Sequence, residues 1–218
     1  MIKNNLKEIL ESVPNSVTVV AVTKTIGIER IKEAAMAGIK HIGENKVQEA
    51  LSKYESLKSL NLVWHLIGGL QTNKVKKAVE IFDLIHSVDS FNLASVIDKE
   101  AGKISKKQDV LLQVNVSKEE TKQGFFVSEL ENILLELSKL DNLNVKGLMT
   151  IAPNTEDENF IKDCFIQTRD LKDKINKSCL FPHELDILSM GMSNDYMIAI
   201  KEGSTMLRLG RAIFGERI

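Results

Sequence analysis

A lysine at the end of an apolar run is the residue for which the sequence most directly predicts chemistry. Lys24 follows Val17-Thr-Val-Val-Ala-Val-Thr23, and such a run without clean alternation is typical of a parallel strand covered on both faces. Helical spacing resumes at once with Ile28, Ile31 and Ala35, so Lys24 is predicted to lie at the carboxyl end of a strand. Ligands bind at that end in open α/β sheets and in barrels. A lysine amine there can form a Schiff base with a carbonyl group of a ligand.

Polar residues also end the other predicted strands. They are Glu44, Asn45, His65, His86, Ser87, Asn115, Met149 with Thr150, Ser189 and Arg208. Each has a structural alternative: a lone His65 in an apolar strand is more often a hydrogen-bonded core histidine, and Glu44 can pair with a nearby lysine. Their occurrence together at one end of the strands favours a ligand site around Lys24.

The segments after the last two predicted strands predict a phosphate site. Ser189 is followed by Gly191, and Arg208 by Gly210, each shortly before a predicted helix start. Backbone amides at a helix start bind a dianion, and glycine lets it approach the backbone closely. The alternative is that these glycines only shape tight turns. With Lys24 across the mouth, two ligand classes fit: a sugar phosphate, as in a Schiff-base aldolase, and pyridoxal phosphate.

Strand-like and helix-like segments alternate along the chain after a leading helix at about 2–12. The predicted strands are 17–24, 39–44, 62–67, 82–88, 109–116, 144–151, 185–190 and 205–209. The predicted helices are 28–37, 45–58, 72–80, 90–101, 128–140, 155–176, 194–202 and a short terminal helix. Ser128-x-x-Glu131 and Thr155-x-x-Glu158 predict capping boxes at two helix starts.

Eight such units predict a (β/α)8 TIM barrel with an extra amino-terminal helix. An open doubly wound sheet is the alternative. It more usually has five or six strands and a glycine-rich first turn, which Thr25-Ile-Gly27 does not provide.

Length and composition predict one globular domain over residues 1–218. The chain is 43% hydrophobic and carries 29 basic and 30 acidic residues, a balance that disfavours nucleic-acid or membrane-surface partners. Only three prolines occur, and no Ser/Gly/Pro-rich stretch marks a linker. Neither a signal-peptide pattern nor an apolar run of transmembrane length is found, so a cytoplasmic location is predicted. Cys164 and Cys179 fit no ligand spacing, and no metal site is predicted.

Seven segments carry a resemblance that runs nearly end to end. They are Val20-Ala-Val-Thr-Lys-Thr25, Ile42-Gly-Glu-Asn-Lys-Val-Gln-Glu49, Trp64-His-Leu-Ile-Gly-Gly-Leu-Gln-Thr-Asn-Lys74, Ile85-His-Ser-Val-Asp89, Gly147-Leu-Met-Thr150, Ser189-Met-Gly-Met-Ser-Asn-Asp195 and Arg208-Leu-Gly-Arg-Ala-Ile-Phe-Gly215. Together they resemble the pyridoxal-phosphate homeostasis proteins, single-domain relatives of the amino-terminal barrel of alanine racemase.

The resemblance implies that pyridoxal 5′-phosphate is held as a Schiff base on Lys24. Its phosphate is then expected near Ser189 and Gly210, with the pyridine nitrogen facing Arg208. Arg211 is left out of the phosphate set because a small hydroxyl residue is also familiar there. The predicted cofactor-binding residues are Lys24, Asn45, His65, Met149, Ser189, Arg208 and Gly210.

The resemblance also implies a role in intracellular vitamin B6 and amino-acid homeostasis, without established catalytic turnover, in a monomer. No catalytic residue is therefore predicted. Amino acids, joined to the cofactor as external aldimines, are the second expected partner. The alternative function is a pyridoxal-phosphate-dependent amino-acid racemase, and an aldolase ranks third. The racemase is disfavoured because we expect no β-rich second domain after Ile218, and neither Tyr54 nor Tyr196 is predicted at a strand end.

Overall fold

Eight parallel strands form a closed barrel in which each strand pairs with its neighbours in sequence. The structure, a computed structural model, describes residues 1–117 and 123–216. The strands are β1 Thr18–Val22, β2 His41–Glu44, β3 Val63–Leu66, β4 Leu84–Val88, β5 Gln108–Gln113, β6 Leu143–Met149, β7 Ile187–Ser189 and β8 Met206–Leu209. The barrel closes where β1 and β8 pair, from Thr18 with Met206 to Ala21 with Leu209. The predicted fold class is confirmed.

Helices cover the outside of the barrel and include the predicted leading helix. They are α1 Ile2–Ser12, α2 Ile28–Met36, α3 Val47–Leu57, α4 Val75–Ile81, α5 Phe91–Gly102, α6 Val127–Leu137, α7 Glu158–Ser178, α8 Tyr196–Lys201 and α9 Arg211–Phe214. The apolar face of α1 buries Ile2, Leu6 and Ile9 at helical spacing, because α1 packs on α2 and α9. Within the part of the chain that the structure describes, no helix has the length and apolar character needed to cross a membrane.

The two predicted capping boxes are wrong in position. Helix α6 begins one residue before Ser128, and the Glu129 carboxylate accepts a hydrogen bond from the Phe126 N–H at 3.1 Å. Helix α7 is capped by Asp157, whose carboxylate accepts from two backbone N–H groups of the first turn. The Thr155 hydroxyl accepts instead from the Asp157 N–H. At α7, the Asp157 carboxylate accepts from the first-turn amides and caps the helix in place of the weaker Thr155 hydroxyl.

The barrel interior contains imidazole groups. His65 on β3 and His86 on β4 are 1% and 0% exposed. The Nδ1 atom of His65 lies 2.9 Å from Nε2 of His86, and its Nε2 atom lies 3.0 Å from Nδ1 of half-buried His41. We call His41, His65 and His86 the histidine row. The structural alternative for His65, a hydrogen-bonded core histidine, is the arrangement that the structure shows.

Burial controls the charge of the histidine row. It is the largest cause that lowers the pKa of His65 to about 3, with His41 adding to the effect. Burial likewise puts the pKa of His86 well below its ordinary value, and His65 and Arg208 lower it further. Both imidazoles are therefore neutral at physiological pH.

The stability of the protein should fall as the pH drops from 7 to 5. Folded His65 has a pKa of about 3, whereas in the unfolded chain the imidazole takes up a proton near pH 6.5. Because the folded pKa is the lower one, the unfolded state binds more protons between these values. Stability is then lost at roughly 1 kcal/mol per pH unit below about 6.5 for this group. Urea unfolding at pH 7, 6 and 5 measures the slope.

The variant His65→Gln should show a smaller loss of stability between pH 7 and 5 than the wild type, whatever its stability at pH 7. His183→Gln is the matched control, because its Nε2 contacts the Val145 carbonyl oxygen at 3.0 Å outside the histidine row. The control should keep the wild-type slope. A wild-type slope in His65→Gln would show that this imidazole does not cause the pH dependence.

Candidate functional site

Lys24 lies two residues beyond β1, in the turn that leads to α2. The turn is closed by a hydrogen bond of 2.9 Å from the Ile26 N–H to the Thr23 carbonyl oxygen. Thr25 adopts a left-handed conformation with φ of 64°, which a non-glycine residue adopts only when its surroundings hold it there. Lys24 itself is half-buried. The turn thus places its side chain at the carboxyl end of the barrel.

A buried lysine on α3 holds the residue before Lys24. The Lys53 ammonium donates to the Thr23 carbonyl oxygen at 2.8 Å and to the Glu44 carboxylate at 2.8 Å. Glu44, which is fully buried, also accepts from the Thr23 hydroxyl at 2.7 Å. Burial raises the pKa of Glu44, and the hydrogen bonds from Lys53 and Thr23 oppose that rise. The structural alternative for Glu44, pairing with a nearby lysine, is confirmed.

The same network holds the residue after Lys24. Lys53 forms a second ion pair, at 2.7 Å, with Glu49 on its own helix. The Glu49 carboxylate accepts from the Thr25 N–H at 2.5 Å. Hydrogen bonds from Lys53 and Thr25 lower the pKa of Glu49, although burial opposes them as the largest single cause. Both neighbours of Lys24 are therefore fixed by one charged cluster, which explains how Thr25 keeps its left-handed conformation.

Lys24 lines a cavity of about 630 Å³ at this end of the barrel, a volume typical of small-molecule sites. The loop after β6 forms one wall with residues 151–156, and the loop after β7 forms another with residues 192–195. Arg208, Gly210 and Arg211 line it from β8 and the start of α9. Three of the predicted cofactor-binding residues, Lys24, Arg208 and Gly210, thus lie around one space.

Arg208 supplies a buried guanidinium to the cavity. Its NH1 group donates to the Ser189 carbonyl oxygen at 2.7 Å and to the Ser189 hydroxyl at 2.6 Å, and NH2 donates to the Thr150 carbonyl oxygen at 2.8 Å. Burial lowers the pKa of Arg208 to about 10, and the carboxylate of Asp195 opposes that shift. The guanidinium is therefore protonated at neutral pH and is held by three acceptors from the ends of β6 and β7.

Polar groups converge on the side of the cavity where β7 and β8 end. The Ser193 hydroxyl accepts from the Ala212 N–H at 3.2 Å, and the Asn194 side-chain oxygen accepts from the Arg211 guanidinium at 3.0 Å. Gly210 directly precedes α9. Sequence reasoning missed Ser193 and Asn194 and set Arg211 aside. The signal for Ser193 was a second hydroxyl four residues after Ser189, beyond the glycine of the loop.

Four of the residues predicted to bind a cofactor do not line this cavity. Ser189 is fully buried under Arg208, and its hydroxyl lies 3.0 Å from Nδ1 of His86. His65 belongs to the histidine row. Met149 is fully buried in an apolar cluster inside the barrel, with Val20, Leu84, Leu111 and Met206. Asn45 lines a separate cavity of about 480 Å³ with Gly68 and Lys74.

The reason for these positions is the geometry of a closed barrel. Residue alternation predicts which side chains point inward, but the tilt and stagger of the strands decide how far along the barrel axis each one lies. Ser189, His65 and Met149 are buried inside the barrel and do not line the cavity. Whether any of the seven residues contacts a cofactor stays a prediction.

Comparisons with known proteins give a consistent result. The family model described as alanine racemase, N-terminal domain, matches residues 1–218. A pyridoxal phosphate homeostasis protein of Aquifex aeolicus is 45% identical over 205 residues, 93% of this chain and 88% of that protein. Another, of Synechocystis, is 42% identical over 212 residues, 97% of this chain and 96% of that protein.

Solved structures show the same likeness. PipY of Synechococcus elongatus with pyridoxal phosphate bound has a TM-score of 0.93 at 39% identity, over 99% of this chain and 100% of that one. An alanine racemase of Clostridium difficile has a TM-score of 0.80 at 16% identity, over 99% of this chain and 56% of that one, and this likeness shows the fold alone. From the family match and the identity to full-length relatives, the chain belongs to the alanine racemase N-terminal domain family and, within it, to the pyridoxal phosphate homeostasis proteins.

Proposed function

We propose that this protein binds pyridoxal 5′-phosphate in the cavity at Lys24 and acts in vitamin B6 and amino-acid homeostasis without enzyme-like turnover. The observation that carries the proposal is the set of residues that line this cavity from wall to wall. Lys24 stands on one side, the buried cation of Arg208 lines the space, and hydroxyl and guanidinium groups gather near α9. PipY, which has nearly the same length and fold, has a solved structure with this cofactor bound.

The donor set fits the chemistry of the cofactor. When bound, pyridoxal phosphate supplies an aldehyde that condenses with amines and a ring that withdraws electrons. Lys24 lines this cavity and would supply the amine for that aldehyde. The phosphate of pyridoxal phosphate carries about −1.5 to −2 charges at neutral pH. The Ser193 hydroxyl, the backbone at Gly210 and the Arg211 guanidinium offer donors and positive charge for it on the other side.

Arg208 limits the chemistry that the site can support. A guanidinium only donates hydrogen bonds and stays charged at neutral pH. Facing the pyridine nitrogen, Arg208 would keep that nitrogen without a proton, so the ring would withdraw electrons less strongly. A carbanion at an amino-acid α-carbon would then be poorly stabilised.

The racemase alternative also needs a second proton carrier. Racemisation requires an acid and a base on opposite faces of the reacting carbon, each within hydrogen-bond reach. The chain has two tyrosines. Tyr54 on α3 packs against Trp64, with ring centroids 5.3 Å apart, and Tyr196 begins α8. Neither lines the cavity with Lys24. Lys24 can therefore carry a proton on one face of the reacting carbon, but neither tyrosine is placed to carry one on the other face.

Lys24→Ala should abolish covalent attachment of the cofactor. The protein loaded with pyridoxal phosphate is reduced with borohydride, digested and mapped by mass spectrometry, and the wild type should carry the pyridoxyl group on the Lys24 peptide. Lys46→Ala is the matched control, because Lys46 lines the other cavity, and it should label like the wild type. A main adduct on Lys46 or Lys74 would reject the assignment of Lys24.

The choice between Ser189 and Ser193 as the phosphate contact can be decided with two ligands. A hydrogen bond to a charged group is worth roughly 1.5–3 kcal/mol, so Ser193→Ala should weaken pyridoxal phosphate binding by about ten- to a hundredfold. Pyridoxal, which has no phosphate, should lose little. Ser189→Ala should weaken both ligands by the same small factor, because the Ser189 hydroxyl is occupied by Arg208. A selective loss of pyridoxal phosphate affinity in Ser189→Ala would restore Ser189 to the phosphate set.

The loaded protein should not racemise alanine at an enzyme-like rate. Each alanine enantiomer is incubated with it in deuterium oxide, and the enantiomer ratio and the exchange at the α-carbon are followed by NMR. Slow exchange without racemisation is expected, because one face of the carbon has a proton carrier. Turnover near the usual enzyme median of about 10 per second, lost in Lys24→Ala, would establish the racemase alternative instead.

A further inference from the structure

The histidine row connects Arg208 with the opposite end of the barrel. His41 is the first residue of β2, while His65 and His86 are each the third residue of the next two strands. Ser189, the last residue of β7, links His86 to Arg208 through contacts of 3.0 and 2.6 Å. Three of the four histidines in the sequence are thus joined to the cation that lines the cavity. A lone core histidine needs no such continuous path.

The direction of every hydrogen bond in this path follows from its first member. A guanidinium has no acceptor, so Arg208 donates and the Ser189 oxygen accepts. The hydroxyl hydrogen of Ser189 is then available to Nδ1 of His86. If Nδ1 of His86 carried a hydrogen and donated it to Ser189, it could not accept a hydrogen bond. The hydroxyl hydrogen of fully buried Ser189 would then lose the acceptor that His86 provides. An unsatisfied buried polar group costs about 1–3 kcal/mol.

One assigned tautomer determines the next. A neutral imidazole has one donor and one acceptor. Because Nδ1 of His86 accepts, its Nε2 carries the hydrogen and donates to Nδ1 of His65 at 2.9 Å. The Nε2 atom of His65 then donates to Nδ1 of His41 at 3.0 Å. All three imidazoles are therefore the Nε2–H tautomer.

We propose that Arg208, acting through Ser189, fixes one tautomer along the whole histidine row, and that His86 and His65 in return are positioning residues for the Arg208 guanidinium. The tautomer order follows from the row itself, whereas its use at the cavity rests on the proposed function. Aligned hydrogen bonds polarise one another, so each imidazole strengthens the acceptor that Ser189 offers to Arg208.

Protonation at the exposed end would oppose this order. The row meets solvent at half-buried His41, where burial lowers the imidazole pKa, Asp83 raises it and Lys40 lowers it. A protonated His41 would donate from Nδ1 to His65, and each following imidazole would have to exchange its donor and acceptor atoms. Ser189 would then receive donors from both His86 and Arg208. The neutral charge of the three imidazoles therefore preserves the donor-to-acceptor direction of the hydrogen bonds, and that direction in turn favours neutral imidazoles.

The tautomers can be observed directly in the protein without cofactor. Histidine labelled with ¹⁵N is incorporated in a His183→Gln background, and long-range ¹H–¹⁵N correlation spectra report which ring nitrogen of each remaining imidazole is protonated. At pH 7 we expect three neutral imidazoles, each with hydrogen on Nε2 alone. Hydrogen on Nδ1 of His65 or His86, or a mixture of tautomers, overturns the proposal, and this measurement needs no variant of the row.

Two serine variants test the role of Arg208 as the origin of the order. Ser189→Ala separates the guanidinium from His86 and should give mixed tautomers at His86 and His65. Ser204→Ala is the matched control, because this buried hydroxyl donates to the Met190 carbonyl oxygen at 2.7 Å outside the row, and it should leave the spectra unchanged. Single Nε2–H tautomers retained in folded Ser189→Ala would overturn the proposal.

A second readout links the row to the cavity. Pyridoxal phosphate is titrated into the wild type, Ser189→Ala and His86→Phe, and affinity should fall by about two- to tenfold in both variants, the effect of one neutral hydrogen bond. Wild-type affinity in both variants overturns the positioning role. If the wild type binds no cofactor, the proposed function fails while the tautomer result stands, so the two failures are distinguishable.

Discussion

The burial of the Arg208 guanidinium is the constraint on which the functional end of this barrel depends. A charge that leaves water costs several kcal/mol unless acceptors replace the water molecules. Here the acceptors are the Thr150 carbonyl oxygen from the end of β6 and two oxygens of Ser189 on β7. Three adjacent strands therefore share one cation. Any shift of β7 relative to β8 would leave donors of a buried charge without partners, so the strand ends are fixed where the cavity needs them.

A second charged cluster fixes the opposite side of the cavity. Lys53 joins the Thr23 backbone to two carboxylates, and one of these carboxylates holds the Thr25 N–H. Lys24 stands between the two residues that are held in this way. Its backbone is thus constrained on both sides while its half-buried side chain reaches the cavity. Lys53 and Arg208 are the buried cations that hold the two sides of the site, and Lys24 is the amine that lines the cavity between them.

The sequence was sufficient to predict the barrel, because eight alternations of β-branched runs with helical spacing leave few other architectures. It also predicted that Lys24, Arg208 and Gly210 meet, since each lies at or just beyond the carboxyl end of a predicted strand. It could not show that Ser189 is buried under Arg208 and does not line the cavity. The Ser189 hydroxyl contacts His86, 103 positions away, and no local pattern reports a contact between strands three places apart in the barrel. His65 was ambiguous for the same reason, because its two partners come from neighbouring strands. Ser193 was overlooked because it lies in the loop beyond the strand end on which the prediction concentrated.

The neutrality of the histidine row explains why the cavity keeps a positive charge. A carboxylate in place of Ser189 would satisfy Arg208 equally well but would cancel its charge. Each bond of the row is donated away from Arg208, so the negative end of every bond dipole points towards the guanidinium and stabilises it without a formal negative charge. Asp195 adds a long-range attraction, but its carboxylate is occupied by the Met192 N–H at 2.5 Å. A row of neutral groups thus lets the protein bury a cation beside the cavity and still present it to an anionic ligand.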